Sequence, residues 1–93
     1  MKKLKRRFKQ WVTDQMDLPS DVLMDLPRLT MIGQLHLYIE NHRGVLKFSE
    51  GELRLLLVHG QLLIKGEQFV IKTILPEELL LEGKINSVVY LDE

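Results

Sequence analysis

The longest apolar/polar alternation in this 93-residue chain is Leu29-Thr-Met-Ile-Gly-Gln-Leu-His-Leu-Tyr-Ile-Glu40, which continues into Asn41-His-Arg-Gly44. A period of two is typical of a β-strand, because alternate side chains of a strand share one face. The face that includes Leu29 and Ile39 is apolar, and we expect the face with Tyr38 and Glu40 to be mostly solvated. Gly33 in the middle of the run indicates a bulge or a division into two strands.

Short strands bounded by turn residues are predicted for the rest of the chain. The alternation and the Gly and Pro positions place them at residues 45–49, 53–58, 61–65, 69–75, 78–82 and 85–91. Leu63-Ile-Lys-Gly66 and Leu80-Leu-Glu-Gly83 also form a faint repeat. The pattern predicts a mainly β, single-domain protein with an antiparallel sandwich or barrel-like sheet, and a short β-solenoid is the alternative.

A basic amphipathic helix is predicted for residues 1–16. Apolar residues recur there at spacings of three and four, at Leu4, Phe8, Trp11, Val12 and Met16. The opposite face is cationic, with Lys2, Lys3, Lys5, Arg6, Arg7 and Lys9. Three roles stay open for this segment: packing on the β domain or a partner, peripheral contact with an anionic membrane, and contact with nucleic acid.

Two prolines divide this helix from the sheet. Residues 17–28 contain Pro19 and Pro27, and the residue before a proline is disfavoured in a helix. We therefore expect a connector over residues 17–28 and a β domain over residues 29–93.

The charge distribution is uneven although the net charge is zero, with 13 basic and 13 acidic residues. Six basic residues lie in the first nine positions, so the rest of the chain has a net charge of −6. No cysteine is present, which excludes disulfides and thiolate metal sites. No apolar run approaches the ~18 residues of a transmembrane helix or supplies the core of a signal peptide. We expect a cytoplasmic protein.

Candidate catalytic groups are sparse. His36, His42 and His59 have no spacing typical of a metal site, and the glycines are too isolated to form a phosphate-binding loop. We therefore expect no enzymatic activity, no metal and no cofactor. A small nucleic-acid-binding β-barrel is an alternative that would use Tyr38 and Arg43, although the acidic body opposes binding to phosphates.

Several strings resemble the YabP/YqfC sporulation protein family, and the similarity is closest to its YqfC branch. They are Leu26-Pro-Arg-Leu-Thr-Met-Ile-Gly33, Ile39-Glu-Asn-His-Arg-Gly-Val45, Gly60-Gln-Leu-Leu-Ile-Lys-Gly66 and Glu82-Gly-Lys-Ile85. The resemblance implies an endospore-forming member of the Firmicutes and a non-enzymatic role in the mother cell. It also implies another sporulation protein as the partner, with membrane-bound proteins among the candidates.

The predicted contacts follow from this setting. Residues 1–16 would bring the protein to the outer forespore membrane or to a membrane-bound partner. Glu40, Asn41, His42, Arg43 and Gly44 are predicted to bind the partner, because this string is more family-specific than a turn requires. Self-association through an exposed strand edge is a further possibility.

Overall fold

The computed structural model describes residues 26–92, which form six β-strands. They are β1 (Arg28–Ile32), β2 (His36–Glu40), β3 (Gly44–Phe48), β4 (Glu52–Leu56), β5 (Gln61–Ile74) and β6 (Glu78–Leu91). Between residues 26 and 92 no helix is long and apolar enough to span a membrane. The predicted helix over residues 1–16 and most of the predicted connector lie outside the described residues.

The six strands form one antiparallel sheet in the order β1-β2-β6-β5-β4-β3. Its centre is the hairpin of β5 and β6, each of which has 14 residues, whereas the other strands have five. β2 pairs with residues 78–82 of β6, and β4 pairs with residues 61–65 of β5. We call β1, β2 and the turn-side ends of β5 and β6 the first half of the sheet. The second half is β3, β4 and the remainder of the hairpin.

Apolar side chains from both halves contribute to one buried core. Leu37 and Ile39 come from β2, and Leu53 and Leu55 come from β4; all four are fully buried. The other members are Leu57, Leu62, Ile64, Phe69, Leu79, Leu81 and Ile85. Because burying an aliphatic or phenyl side chain contributes about 1.5–3 kcal/mol, this cluster is the main source of stability.

The central hairpin is irregular where its two halves meet. Register shifts on both sides of Gly66 mark β-bulges, which increase the local twist of a sheet. The ring of Phe69 is buried beside Gly66 and Gly83. A Cβ added to Gly66 would lie 1.9 Å from the carbonyl oxygen of Lys84 and 2.7 Å from the Phe69 ring. Only glycine fits at this position.

The predicted mainly β, antiparallel architecture is confirmed, with one continuous sheet in place of the two sheets of a sandwich. The solenoid alternative is wrong, because a solenoid stacks parallel strands and every described strand pair is antiparallel. The strand breaks expected at Gly66 and Gly83 are also wrong. These glycines lie inside continuous strands, and the faint sequence repeat marks their bulged region.

The alternating stretch is divided as Gly33 indicated. Gly33 has a φ of +57° and lies in the turn between β1 and β2. Leu29 is paired with Ile39, so the apolar faces of the two strands coincide. The expected solvation of the opposite face is wrong for Tyr38 and Glu40, which are both buried. Both side chains have hydrogen-bond partners on the neighbouring strands, as described below.

Phe48 and Phe69 both lie in apolar strand segments, which predicts burial, but only Phe69 is in the core. Phe69 is 2% exposed, whereas Phe48 is 43% exposed. Phe48 ends β3, an outer strand of the sheet, where residues 26–92 supply a neighbouring strand on one side only. An apolar side chain at such an edge has fewer groups to cover it.

Candidate interaction surfaces

The predicted partner-binding string forms the connection between the two halves of the sheet. The amides of Asn41 and His42 donate hydrogen bonds to the carbonyl oxygen of Glu77, at 2.8 and 3.2 Å. The next amide, of Arg43, donates to the carbonyl oxygen of Leu56 in the second half, at 2.7 Å. Asn41 has a φ of +69°, which asparagine tolerates better than most residues. This string therefore has a structural role in joining β2 to β3.

Glu40 lies at the start of this connection and is fully buried. Its carboxylate accepts hydrogen bonds from Nε and Nη2 of Arg28, at 2.8 and 3.1 Å. Two parallel bonds from a guanidinium fit the geometry of a carboxylate and compensate for part of its lost hydration. Glu40 therefore connects β2 to β1 through its ion pair with Arg28.

His42 is also buried, with 2% of its surface exposed. Its Nδ1 accepts a hydrogen bond from the amide of Gly44 at 3.0 Å, so the neutral ring carries its proton on Nε2. Within residues 26–92 this Nε2 has no hydrogen-bond partner. The ring fixes the turn into β3.

Only two of the five predicted contact residues are accessible to a partner. Glu40, Asn41 and His42 are buried, whereas Arg43 and Gly44 are partly exposed. The Arg43 guanidinium lies 3.6 Å from the Glu77 carboxylate. Partner binding by Arg43 and Gly44 stays a prediction, as do the contacts predicted for residues 1–16, which lie outside the described residues.

Tyr38 was the aromatic residue on which the nucleic-acid alternative depended. Its side chain is buried, and its hydroxyl donates a hydrogen bond to the Glu78 carboxylate. Burial raises the pKa of the Tyr38 hydroxyl above the value of free tyrosine, and the nearby Glu78 carboxylate adds to the shift. A ring held in this way is not available to stack on a base.

Among residues 26–92, the two most exposed aliphatic side chains, Ile32 and Leu35, flank the turn between β1 and β2. Met31, Ile32 and Leu35 are 46%, 66% and 59% exposed. We call residues 31–35 the hairpin tip. The sequence did not predict this exposed surface, because Met31 and Leu35 continue the apolar face of the alternation and would be expected to be buried. The useful signal was Gly33-Gln34, a turn that leaves its apolar neighbours at the end of a hairpin.

Backbone hydrogen bonds fix this tip against β6. The carbonyl oxygens of Gln34 and Leu35 accept bonds from the amides of Ile85 and Gly83, at 2.8 and 3.0 Å. A further bond of 3.4 Å closes the turn from Leu35 to Ile32. The tip is therefore a preorganised apolar projection.

A second exposed region follows directly along β6. β2 pairs with β6 only as far as Glu82, and the tip adds bonds as far as Ile85. From Asn86 to Leu91, the described part of the chain supplies β5 as a neighbour on one side and no strand on the other. We call residues 86–91 the β6 edge.

The ionisable side chains do not form a recognisable metal site. Among residues 26–92, no three histidine, aspartate or glutamate side chains converge to hold a metal ion. His36 instead pairs with Glu82, at 3.3 Å between Nε2 and a carboxylate oxygen.

Comparison with known proteins identifies the family of this chain. A family model described as the YabP family matches residues 25–93. The uncharacterized protein YqfC of Bacillus subtilis (strain 168) is 60% identical over 88 residues, which cover 95% of each chain. The aligned region extends beyond the described sheet into the N-terminal segment. The chain therefore belongs to the YabP/YqfC family.

Proposed function

We propose that this protein is a non-enzymatic interaction module of sporulation, which acts in the mother cell and binds a membrane-bound partner protein. The observation that carries the proposal is the rigid apolar tip formed by Met31, Ile32 and Leu35. The sporulation setting is inferred from membership of the YabP/YqfC family.

The tip has the properties of a contact site for another protein. Its three aliphatic side chains are exposed within a segment of five residues, and concentrations of exposed apolar side chains mark interaction sites on soluble proteins. Its backbone is already fixed by three hydrogen bonds, so little conformational entropy is lost when a partner binds. No charged residue occurs between Leu29 and Leu35, which suits an apolar pocket on the partner.

The polar side chains of the first half make hydrogen bonds within the fold, which supports an interaction role over catalysis. Arg28 binds Glu40, Tyr38 binds Glu78, and Asn41 donates from its side chain to the carbonyl oxygen of Leu26 at 2.8 Å. Their hydrogen-bonding groups serve to hold the sheet together.

Residues 1–16 would supply a second contact in this proposal. Their six basic residues and apolar stripe suit an anionic membrane surface, and each basic residue near such a surface adds about 1 kcal/mol of attraction. The tip would then determine which partner is bound, and the basic segment would favour binding at the outer forespore membrane.

The test replaces the two most exposed tip side chains, in the variant Ile32→Gln/Leu35→Gln. Removal of two central apolar anchors costs about 2 kcal/mol or more of binding free energy, or a ~30-fold loss of affinity. We expect a fluorescent fusion of the variant to lose its position at the forespore-facing membrane. We also expect fewer heat-resistant spores in a host whose own copy of the gene is deleted.

The control is Val70→Gln/Ile74→Gln, which changes two aliphatic residues that are also more than half exposed, on the opposite side of the central hairpin. It should behave like the wild type, and both variants should be folded by circular dichroism. A chain lacking residues 1–16 separates the contribution of the basic segment. Wild-type position and spore counts for the tip variant would contradict the proposal.

A further inference from the structure

The β6 edge has backbone groups available for pairing with another strand. β5 covers one side of β6 as far as Leu91, while Gln34 occupies the other side at Ile85. Beyond this point alternate residues of an edge strand direct their N–H and C=O groups outward. The hairpin tip occupies this side of β6 up to Ile85, so another strand could pair with β6 only from Asn86 onward.

The side chains of this edge favour strand pairing. Its sequence, Asn86-Ser-Val-Val-Tyr-Leu91, has no charge and no proline and is rich in residues that favour β-structure. Val89 is 44% exposed and Tyr90 is 56% exposed. Both side chains are therefore available at the surface.

Two other open edges of the sheet, on β5 and β3, carry protective features. The outer side of residues 70–74 of β5 includes Lys72 and a register shift between Ile71 and Thr73. β3 carries Lys47 and a register shift of its own. Lysines and bulges on an edge oppose pairing with another chain. The β6 edge, in contrast, is uncharged, and its pairing with β5 is regular from Ser87 to Leu91.

We propose that the β6 edge is a self-association site, at which two copies of this chain pair their β6 strands in antiparallel orientation. A two-fold axis perpendicular to the sheet places residues from the same face opposite each other. The register centred on Val89 meets this requirement and uses the free edge without crossing Gln34. It puts Val89 opposite Val89, Val88 opposite Tyr90 and Ser87 opposite Leu91.

The neighbouring registers fit less well. Centring the pair on Val88 would place Leu91 of the second copy opposite Ile85, whose amide already binds Gln34. Centring it on Tyr90 would leave fewer paired residues. In the register centred on Val89, Asp92 faces the uncharged Asn86 of the second copy, so no like charges are opposed.

The proposed pairing also continues the existing core. Val88 packs against the buried cluster, so its contact with Tyr90 of the second copy would extend that apolar face across the junction. Pairs of aromatic and β-branched residues stabilise adjacent antiparallel strands. Each copy supplies the same edge, so the backbone N–H and C=O groups of both edges are paired in a closed dimer. This inference rests on the β6 edge and is independent of the function proposed for the tip.

Sedimentation velocity of the full chain, from micromolar to millimolar concentration, tests the proposal. We expect a monomer–dimer equilibrium in the wild type. Val89→Lys opposes two cations at the centre of the interface and should raise the dissociation constant at least about tenfold. Val70→Lys, a matched change on the open edge of β5, should leave the equilibrium unchanged. Circular dichroism checks that both variants are folded.

Cysteine cross-linking tests the register separately, since the natural chain has no cysteine. Opposed residues of antiparallel strands have Cα atoms about 4.5–5.5 Å apart, within the reach of a disulfide. Val89→Cys should therefore form a covalent dimer under mild oxidation. Tyr90→Cys, whose two copies are offset along the strands, should cross-link more slowly. A wild type that is monomeric at every concentration, a dimer unaffected by Val89→Lys, or faster cross-linking at position 90 would overturn the proposal.

Discussion

The two halves of the sheet use their polar residues differently. In the first half, the Glu40 carboxylate is buried and receives two hydrogen bonds from Arg28. In the second half, the Glu52 carboxylate lies 3.7 Å from Lys47, which is largely exposed to solvent. The same alternation of polar and apolar residues thus gives a buried, doubly hydrogen-bonded ion pair in one half. In the other half it gives a partly buried carboxylate beside two more exposed cations, Lys47 and Arg54. Similar substitutions should have unequal effects in the two halves.

The largest effect is expected where the halves join. Gly66→Ala would place a methyl group against the Lys84 carbonyl and the Phe69 ring, neither of which can move without disturbing the central hairpin. We expect a loss of at least about 4 kcal/mol in the free energy of unfolding, enough to unfold a large fraction of a domain of this size. Urea denaturation followed by circular dichroism measures the change.

Gly51→Ala is the control for this prediction. A Cβ at Gly51 would meet its nearest neighbour, the carbonyl oxygen of Gly66, at the ordinary contact distance of 3.4 Å. Its unfolding free energy should change by less than about 1 kcal/mol. If Gly66→Ala is equally mild, the close packing at the join is not required for folding.

A smaller difference is expected between the ion pairs of the two halves. Arg28→Met leaves the Glu40 carboxylate buried without its guanidinium partner, which should cost about 2–4 kcal/mol. Lys47→Met removes a largely exposed ammonium 3.7 Å from Glu52 and leaves Arg54 beside the same carboxylate, so it should cost less than about 1 kcal/mol. Urea midpoints and slopes measure both changes, and similar losses would show that the two halves do not differ in this respect.

The smallest effect should appear only at alkaline pH. In the unfolded chain Tyr38 ionises near pH 10, whereas burial and Glu78 raise its pKa in the folded protein. Its contribution to stability is therefore complete below pH 10 and is lost as the pH rises. Above pH 10 the unfolding free energy should fall by up to about 1.4 kcal/mol per pH unit from this group.

Tyr38→Phe should make the alkaline pH dependence of stability less steep, as measured by urea denaturation between pH 9 and pH 11.5. Tyr90→Phe is the control for loss of a hydroxyl from an exposed tyrosine. The prediction fails if Tyr38→Phe and the wild type lose stability in parallel over this range.

The sequence was sufficient to predict where β-structure occurs, because each strand segment carries a local signal, but not that β5 and β6 continue through Gly66 and Gly83. Alternation identified β1 and β2, and Gly33 indicated the turn between them. It was not sufficient to predict which polar residues are buried. The partner of Glu40 is Arg28, 12 residues away, and the partner of Tyr38 is Glu78, 40 residues away. Pairings over such distances depend on strand order, which periodicity does not specify.

The candidate surfaces illustrate the same limit. The string Glu40–Gly44 stood out because of its similarity to a family, but the fold uses three of its side chains internally. The exposed tip and the β6 edge are composed of ordinary strand-forming residues. Their exposure depends on the short length of β2 relative to β6, a property of the assembled sheet.

The central position of β6 has a consequence for the order of folding during synthesis. β1 and β2 leave the ribosome first, yet the neighbour that β2 requires begins at Glu78. The first half therefore cannot be completed until nearly all of the described chain has been made. The hairpin of β5 and β6 can form locally, whereas β2 must dock over a long sequence separation, which slows folding. Until then the apolar face of β1 and β2 is exposed to solvent and to other nascent chains.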